Sequence, residues 1–245
     1  MTLAIDWGNT QLKAGWFNGD TLVETARFDS PELLQEALLT HPADAVIVSS
    51  TNRPANDLRP VLSLFDNTAH WLILGPNTPL PIKNGYGTPQ TLGADRLAGA
   101  AGAASLFPHQ PCLIFDVGTC LTSDFVSADG TFQGGLIAPG FQMRLQAMHT
   151  LTQRLPLIVP TPNDADPPVM AKNTRDAMLG GVLYGMTFEL EGLWTHYANL
   201  HPHLRVIVCG GDGPLFLNRL KPGIFAVPEL VLRGLNHILR FNRQA

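Results

Sequence analysis

Two apolar runs, one near the start of the chain and one in its middle, end in the same acidic, glycine-containing turn. The first reads LAIDWGNT over residues 3–10, and the second reads LIFDVGT over residues 113–119. Each is followed by another strand-like run, 11–17 and 120–126, so each pattern predicts a β-hairpin. Glycine lets the backbone approach a phosphate, threonine supplies a hydroxyl donor, and aspartate can hold a cation or its waters. The chain is therefore expected to carry two phosphate-holding turns.

The remaining pattern predicts the element order β-β-β-α-β-α in both halves. In the first half we expect strands at 2–7, 11–17, 21–28, 45–49 and 71–74, and helices from Pro31, at 54–65 and at 93–106. In the second half we expect strands at 112–117, 120–127, 131–138 and 205–209, and helices at 141–153, 174–199 and 228–241. With a boundary at Pro108–Pro111, the domains are predicted at 1–109 and 110–245. The duplicated hairpin is typical of an α/β fold with duplicated actin-like (ribonuclease H-like) domains, and an ATP cleft is expected between them.

Composition excludes several classes of function. The net charge of −4 and the lack of any Lys/Arg run argue against a nucleic-acid partner. No apolar run reaches ~18 residues, so a membrane partner is not expected. The three cysteines lie in apolar runs, which predicts reduced thiols and a cytoplasmic location. Since only 15% of residues are charged and 45% are hydrophobic, burial against another subunit is expected.

The first turn carries a polar set that suits a nucleotide phosphate. Asn9 and Thr10 offer hydrogen-bond donors, Lys13 adds positive charge, and Asp6 can anchor Mg²⁺ through water. For this segment alone, the alternative is a structural hairpin turn capped by Asp6 and Asn9, but the second copy of the turn favours phosphate binding. The predicted ATP-binding residues here are Asp6, Trp7, Gly8, Asn9, Thr10, Gln11, Leu12 and Lys13.

The segment Gly93-Ala94-Asp95-Arg96 opens a predicted helix of alanines and glycines. The N–H groups and the positive dipole end of a helix start favour an anion. That field suits a carboxylate at Asp95, as a general base requires, and Arg96 can hold a carboxylate or phosphate. The alternative is that Asp95 only stabilises the helix start and that Arg96 is solvated.

The segment Gly210-Gly211-Asp212-Gly213 follows the predicted strand 205–209. Glycines at this position would let the backbone lie flat against an adenine or a ribose. The alternative is a tight strand-to-helix turn. The spacing is not that of a dinucleotide-binding GxGxxG motif.

Taken together, these segments resemble the type III pantothenate kinases over nearly the whole chain. The matching segments are 6–13 (D-x-G-N-T-x-x-K), 86–96 (Y-x-x-P-x-x-L-G-x-D-R, which stands here as YGTPQTLGADR), 116–124 (D-x-G-T-A-x-T-x-D), 134–140 (G-G-x-I-x-P-G), Asn173-Thr174 and Gly210-Gly211. The departures from the family pattern are Cys120 in place of alanine and Trp7 in place of a smaller apolar residue. Neither removes a polar group that the chemistry needs.

The resemblance implies ATP-dependent phosphorylation of the pantothenate hydroxyl, the first step of coenzyme A synthesis. It implies Asp95 as the proton acceptor and Thr119 on ATP. It implies Mg²⁺ held through water near Asp6, and a monovalent cation, K⁺ or NH₄⁺, at Asp116. It also implies a homodimer. The implied pantothenate-binding residues are Tyr86, Gly93, Ala94, Asp95, Arg96 and Thr174, and Gly210 and Gly211 are implied on the adenosine side.

Two alternative functions stay open at the level of the sequence. One is another small-molecule kinase of the same superfamily, against which the segment 86–96 argues. The other is a non-catalytic accessory or regulatory protein on the same scaffold. Such a protein could lose Asp95 or the phosphate-side threonines, whereas this chain keeps them.

Overall fold

A computed structural model of the protein describes residues 1–8, 11–51, 54–62, 70–161, 164 and 166–244. The chain packs into two compact units. The first is formed by Met1–His109, Val126–Gly134 and Glu229–Ala245, and the second by Gln110–Phe125 and Gly135–Pro228. The division into domains at 1–109 and 110–245 stays a prediction, since the packed units are not continuous segments of the chain.

The first unit is built on a five-stranded sheet of β1 (Thr2–Trp7), β2 (Leu12–Asn18), β3 (Thr21–Phe28), β4 (Ala45–Ser50) and β5 (His70–Ile73), in the order β3-β2-β1-β4-β5. The unit also contains the short β6 (Lys83–Asn84), which lies outside this sheet and pairs with Thr131 and Phe132. Its helices are α1 (Pro31–Thr40), α2 (Arg59–Leu62), α3 (Ala94–Leu106) and α7 (Leu230–Gln244), with 3₁₀ turns at Ala55–Leu58 and Pro89–Thr91. β1 pairs antiparallel with β2 and parallel with β4.

The second unit carries the repeat of the opening hairpin. Its elements are β7 (Cys112–Val117), β8 (Cys120–Val126), β9 (Thr131–Pro139), α4 (Phe141–Thr150), α5 (Thr174–Leu200), β10 (Arg205–Cys209), α6 (Pro214–Leu217) and β11 (Ile224–Ala226), and the first residues of β9 belong to the first unit. β7 and β10 are parallel neighbours. Their inward side chains form one apolar core with the buried face of α5, which includes Leu179, Leu183 and Met186.

Most predicted elements are present, with ends that differ by at most three residues. The predicted helix at 54–65 is instead a 3₁₀ turn followed by α2, and residues 63–65 lie outside the described residues. The helix predicted at 141–153 ends at Thr150, where the Thr152 hydroxyl donates to the Met148 carbonyl and so satisfies a terminal acceptor. β6, β11 and α6 were not predicted, because two to four residues are too few to leave a periodic pattern.

Two further expectations concern the chain as a whole. The three cysteines form no disulfide in the structure. Over the described ranges, no helix combines the length and the apolar character that crossing a bilayer requires.

Helices α3 and α7 cross with their backbones in contact, at a point where both carry glycine. A Cβ atom on Gly234 of α7 would overlap the carbonyl oxygen of Ala98, and one on Gly102 of α3 would lie 2.6 Å from the carbonyl oxygen of Leu230. The small residues of α3 thus let the two helices pack closely. This contact holds α3, whose first turn carries Asp95, against the unit.

Gly234→Ala should lower the free energy of unfolding by about 1–3 kcal/mol, because the new methyl group has no space and the two helices must separate. Chemical denaturation measures the change. Gly99→Ala, also on α3, is the matched control, since no described atom outside its own helix lies within 4 Å of the Cβ position. Alanine there should be neutral or stabilising by about 0.5–1 kcal/mol. Equal stability of Gly234→Ala and the wild type would contradict the close packing of the helices.

Candidate functional site

The first predicted turn joins β1 to β2, and the sheet sets the neighbours of Asp6. In the antiparallel pair Asp6 lies opposite Lys13, and in the parallel pair it lies opposite Ser49 of β4. The hydroxyl of Ser49, which is fully buried, donates to Oδ1 of Asp6 at 2.9 Å. One carboxylate oxygen is therefore fixed by the sheet itself.

The electrostatic environment of Asp6 disfavours its charge. The side chain is only 7% exposed, and this burial raises the pKa of the carboxyl group above its ordinary value. The positive charge of Lys13 acts in the opposite direction, the negative charge of Asp95 raises the pKa further, and the hydrogen bond from Ser49 lowers it. Asp6 and Asp95, which are 89 positions apart in the sequence, thus act on one another within the first unit.

The other residues of this turn have distinct surroundings. Trp7 and Leu12 are buried and pair with each other across the hairpin. The N–H group of Gly8 donates to the carbonyl oxygen of Gln11 at 3.2 Å, which closes the turn. The predicted phosphate donors Asn9 and Thr10 lie outside the described residues, so their roles stay predictions.

Asp95 lies in the first turn of α3, as predicted. Gly93 is the N-cap of this helix, and Ala94 is its first residue. Oδ1 of Asp95 accepts the N–H group of Arg96 at 2.8 Å and would lie 2.5 Å from a Cβ atom on Gly93. A side chain at position 93 would therefore displace the carboxylate, which explains why the helix is capped by glycine instead of by a side-chain oxygen.

Arg96 is buried among aromatic rings. Its side chain is 7% exposed, and its guanidinium carbon lies 5.6 Å from the ring centre of Tyr86 and 5.9 Å from that of Phe132. The two rings stack with their centres 6.0 Å apart. Gly134, with φ of +95°, lies against Tyr86, and a Cβ atom there would be 3.2 Å from the ring. This packing orients the arginine through cation–π contacts in a poorly solvated site.

The second predicted turn joins β7 to β8 and is braced by another glycine. The N–H group of Gly118 donates to the Cys120 carbonyl at 2.9 Å, which closes the turn as Gly8 closes the first. The N–H group of Gly140 donates to the Thr119 carbonyl at 3.1 Å. A Cβ atom on Gly140 would overlap the Gly118 carbonyl oxygen. The side chain of Asp116 is half-buried, whereas Thr119 is exposed.

Gly210 and Gly211 follow β10 directly. Gly210 has φ of +87°, and a Cβ atom there would overlap the Val117 carbonyl oxygen and lie 2.5 Å from Oδ1 of Asp116. Position 210 therefore requires glycine both for its backbone conformation and for its contact with the Asp116 carboxylate. Gly211 is exposed, and a Cβ atom there would have no described neighbour within 4 Å. The N–H group of the next residue, Asp212, donates to Val117, and burial raises the pKa of the Asp212 carboxyl group.

Thr174 is the first residue of α5 and is exposed. Its position is fixed by the cap before it: the Asn173 side chain accepts the N–H group of Asp176 at 2.9 Å and donates to the Asp176 carboxylate at 2.7 Å. The predicted substrate threonine thus lies at a well-capped helix start.

Sequence reasoning missed several supporting residues. Ser49 could have been suspected, because it is a polar residue at the carboxyl end of a buried parallel strand, where ligands commonly bind. Phe132 gave no usable signal, since its partners Tyr86 and Arg96 are tens of positions away in the chain, whereas Gly134 opens the segment 134–140 that matches the family pattern.

The described residues contain no group of three or more His, Cys, Asp or Glu side chains that could together hold a metal ion. The two predicted cation positions, Asp6 and Asp116, each offer one carboxylate. Such a donor set suits an ion that keeps water or is shared with phosphate oxygens.

Comparison with known proteins gives one consistent family. A family model described as type III pantothenate kinase matches residues 2–196. The type III pantothenate kinase of Cytophaga hutchinsonii is 38% identical over 242 residues, which are 99% of this chain and 100% of that protein. A match of this extent covers both units.

Solved structures support the fold. The activator of the 2-hydroxyisocaproyl-CoA dehydratase from Clostridium difficile, with bound ADPNP, has a TM-score of 0.55 at 11% identity, covering 99% of this chain and 95% of that one. A ROK family glucokinase from Streptomyces griseus, in complex with glucose and AMPPNP, has a TM-score of 0.54 at 13% identity, covering 100% of this chain and 99% of that one. The predicted α/β fold class with duplicated actin-like domains is confirmed.

Proposed function

The chain belongs to the type III pantothenate kinase family, whose members phosphorylate pantothenate in coenzyme A synthesis, and we propose that Asp95 accepts the proton of the substrate hydroxyl as the γ-phosphoryl group of ATP is transferred. The observation that carries this assignment is the position of Asp95 in the first turn of α3, where its carboxylate accepts the Arg96 N–H group and its charge acts on the buried Asp6. Phosphoryl transfer depends on positioning and charge neutralisation. A base whose charge acts on the carboxylate that we assign to the divalent ion would suit this role.

Asp6 is the residue that we assign to the divalent ion of the nucleotide. With Oδ1 engaged by Ser49, the other oxygen can accept from water bound to Mg²⁺, and the ion when bound neutralises charge on the phosphate oxygens. Lys13, opposite Asp6 in the hairpin, adds positive charge. The first turn, between β1 and β2, is completed by the other proposed ATP-binding residues, Trp7, Gly8, Asn9, Thr10, Gln11 and Leu12.

Arg96 and Tyr86 are proposed to bind pantothenate. The guanidinium fork of arginine matches a carboxylate, and pantothenate carries one. The ring contacts with Tyr86 and Phe132 hold Arg96 in place before the substrate arrives, so little conformational entropy is lost on binding. Gly93 and Ala94 form the same helix start, and Thr174 is a further proposed substrate contact.

The second turn is proposed to hold ATP through Thr119, with Gly210 and Gly211 on the adenosine side. A monovalent cation is proposed at Asp116, because a half-buried carboxylate beside phosphate oxygens would repel them without one.

The cation assignment is tested by the initial rate at fixed MgATP and ionic strength. The rate should rise with K⁺ or NH₄⁺ and stay low with Na⁺, and full activity in Na⁺ alone would contradict this assignment.

Asp95→Asn tests the assignment of the base. The asparagine keeps the size of the side chain but cannot accept the proton, so kcat should fall by about 10²–10⁴. Nucleotide binding, measured by calorimetry with a non-hydrolysable ATP analogue, should persist. Pantothenate-dependent ADP release measures the turnover.

Glu32→Gln is the matched control, because it removes an exposed acidic residue from the first turn of another helix in the same unit. It should leave kcat within about twofold, since a first-turn charge is worth only a few tenths of a kcal/mol to 1 kcal/mol. Near-normal turnover by Asp95→Asn would show that the base is elsewhere. ADP release that does not depend on pantothenate would favour another small-molecule kinase, and no release at all would favour an accessory protein.

A homodimer is the assembly that we propose, through the exposed face of α5. The helix has one face in the core of its unit, while a second face is solvent-exposed and consists of small residues around one aromatic ring. The residues of this exposed face are Ala177, Gly181, Gly185, Phe188 and Gly192. Phe188 is 67% exposed, and Cβ atoms on the three glycines would have no described neighbour within 4 Å. A second copy of the helix could approach closely there and cover Phe188.

Phe188→Glu should raise the dimer dissociation constant about 10-fold or more, because an unpaired carboxylate would be buried in the interface. Sedimentation velocity across a micromolar concentration series measures the shift. Val23→Glu introduces the same charge at an exposed position of β3 in the first unit and should leave the dimer intact. A fully active monomer at micromolar concentration would contradict the proposed assembly.

The cytoplasmic location inferred from the cysteines stays a prediction, as does the lack of a nucleic-acid partner. Both are consistent with a biosynthetic kinase whose substrates are small metabolites.

A further inference from the structure

The turn between β7 and β8 is closed by its own Gly118 hydrogen bond and is also braced from outside, because its Gly118 and Thr119 carbonyl groups face the segment that precedes α4. Gly140 donates its N–H group to the Thr119 carbonyl and leaves no room for a side chain beside the Gly118 carbonyl. Any movement of Gly140 would therefore change the direction of both peptide groups of the turn. What fixes Gly140 also fixes the turn.

Arg144 makes the contacts that fix this segment. Its Nε group donates to the Pro139 carbonyl at 2.7 Å, and its backbone N–H group donates to the Gly140 carbonyl at 3.0 Å. One residue thus holds the two peptides on either side of Gly140. The Nε contact is made by a charged donor, which gives a stronger hydrogen bond than a neutral one.

The guanidinium group of Arg144 is oriented from its other end by Glu189 of α5. Nη2 of Arg144 donates to the Glu189 carboxylate at 2.7 Å, and the two side chains are 24% and 31% exposed. Partial burial reduces screening by solvent, so this pair holds its geometry better than an exposed pair would. Because Glu189 lies on α5, a continuous set of contacts leads from this helix through Arg144 and Gly140 to the turn.

We propose that Arg144, held by Glu189, is a positioning residue for ATP, which acts by fixing Pro139 and Gly140 against the phosphate turn Asp116–Thr119. This inference rests on the proposed function of that turn. Arginine is required because its planar fork reaches a carbonyl and a carboxylate at once, whereas lysine offers a single charged centre on a flexible stem. Loss of the fork should weaken ATP binding and leave pantothenate binding unchanged.

The test compares Arg144→Lys, Arg144→Ala and Glu189→Gln with the wild type, by steady-state kinetics in each substrate and by thermal unfolding. Arg144→Ala should raise KM for ATP about 10-fold, which is ~1.4 kcal/mol, with KM for pantothenate within about twofold. Arg144→Lys should give most of this loss, and Glu189→Gln a smaller one in the same direction. Arg154→Ala, which removes an exposed arginine from the same unit, is the matched control and should change neither constant.

The reversed pair Arg144→Glu/Glu189→Arg separates positioning from simple stabilisation. It restores an ion pair, so the melting temperature should recover, but a glutamate at 144 cannot donate to the Pro139 carbonyl, so KM for ATP should stay high. Recovery of KM for ATP in the reversed pair would overturn the proposal. So would an unchanged KM for ATP in Arg144→Ala, or an equal rise in both KM values.

Calorimetry with a non-hydrolysable ATP analogue keeps this inference separate from the proposed function. Weaker binding to Arg144→Ala and Glu189→Gln supports the inference whatever the acceptor substrate is. A wild-type protein without pantothenate-dependent turnover would count against the proposed function alone.

Discussion

The proposed chemistry of the first unit depends on a carboxylate, that of Asp6, which the fold holds away from water. The sheet fixes the position of Asp6, because β1 is paired on both sides and places this residue between Lys13 and Ser49. Burial and the charge of Asp95 both raise its pKa, so ionised Asp6 is a cost to the unliganded fold. A cation carried with the nucleotide would relieve that cost, and this is why a disfavoured charge can be useful in a kinase.

In the second unit, the corresponding turn between β7 and β8 is held in shape by backbone packing more than by charge. Gly140 touches the carbonyl groups of the turn, and Gly210 touches both the Val117 carbonyl and the Asp116 carboxylate. Side chains at either position would push these groups apart. The Arg144–Glu189 pair then links this packing to α5, the helix whose exposed face we assign to the dimer. The β7–β8 turn is thus positioned by glycines, which let neighbouring backbone segments touch it, and by Arg144, which holds the segment before α4.

Much of this could be predicted from local sequence. Strands β1, β2, β7 and β8 follow from apolar runs around an Asp-x-Gly turn, and α5 agrees with the long helix predicted at 174–199. The position of Asp95 in the first turn of a helix could be predicted because glycine, a helix start and an acidic residue are adjacent in the chain. Features that depend only on residues adjacent in the chain can be predicted from the sequence.

The supporting residues were not predictable in this way, because each is defined by a distant partner. Ser49 matters only beside Asp6, Phe132 only under Tyr86 and Arg96, and Glu189 only beside Arg144. Such pairs are brought together by the sheets and helices and have no fixed spacing in the chain.

The proposal that Asp6 serves the chemistry and not the stability of the protein can be tested directly. The free energy of unfolding of the ligand-free wild type and of Asp6→Asn is measured between pH 4 and pH 7.5. A raised pKa means that the contribution of Asp6 to stability is full below its unfolded pKa and is lost as pH rises, so Asp6→Asn should be the more stable protein at pH 7, with the difference shrinking towards pH 4. Asp164→Asn should show the opposite trend, because the hydrogen bond from Arg175 lowers the pKa of Asp164, and an Asp6→Asn variant less stable than the wild type at pH 7 would contradict the account.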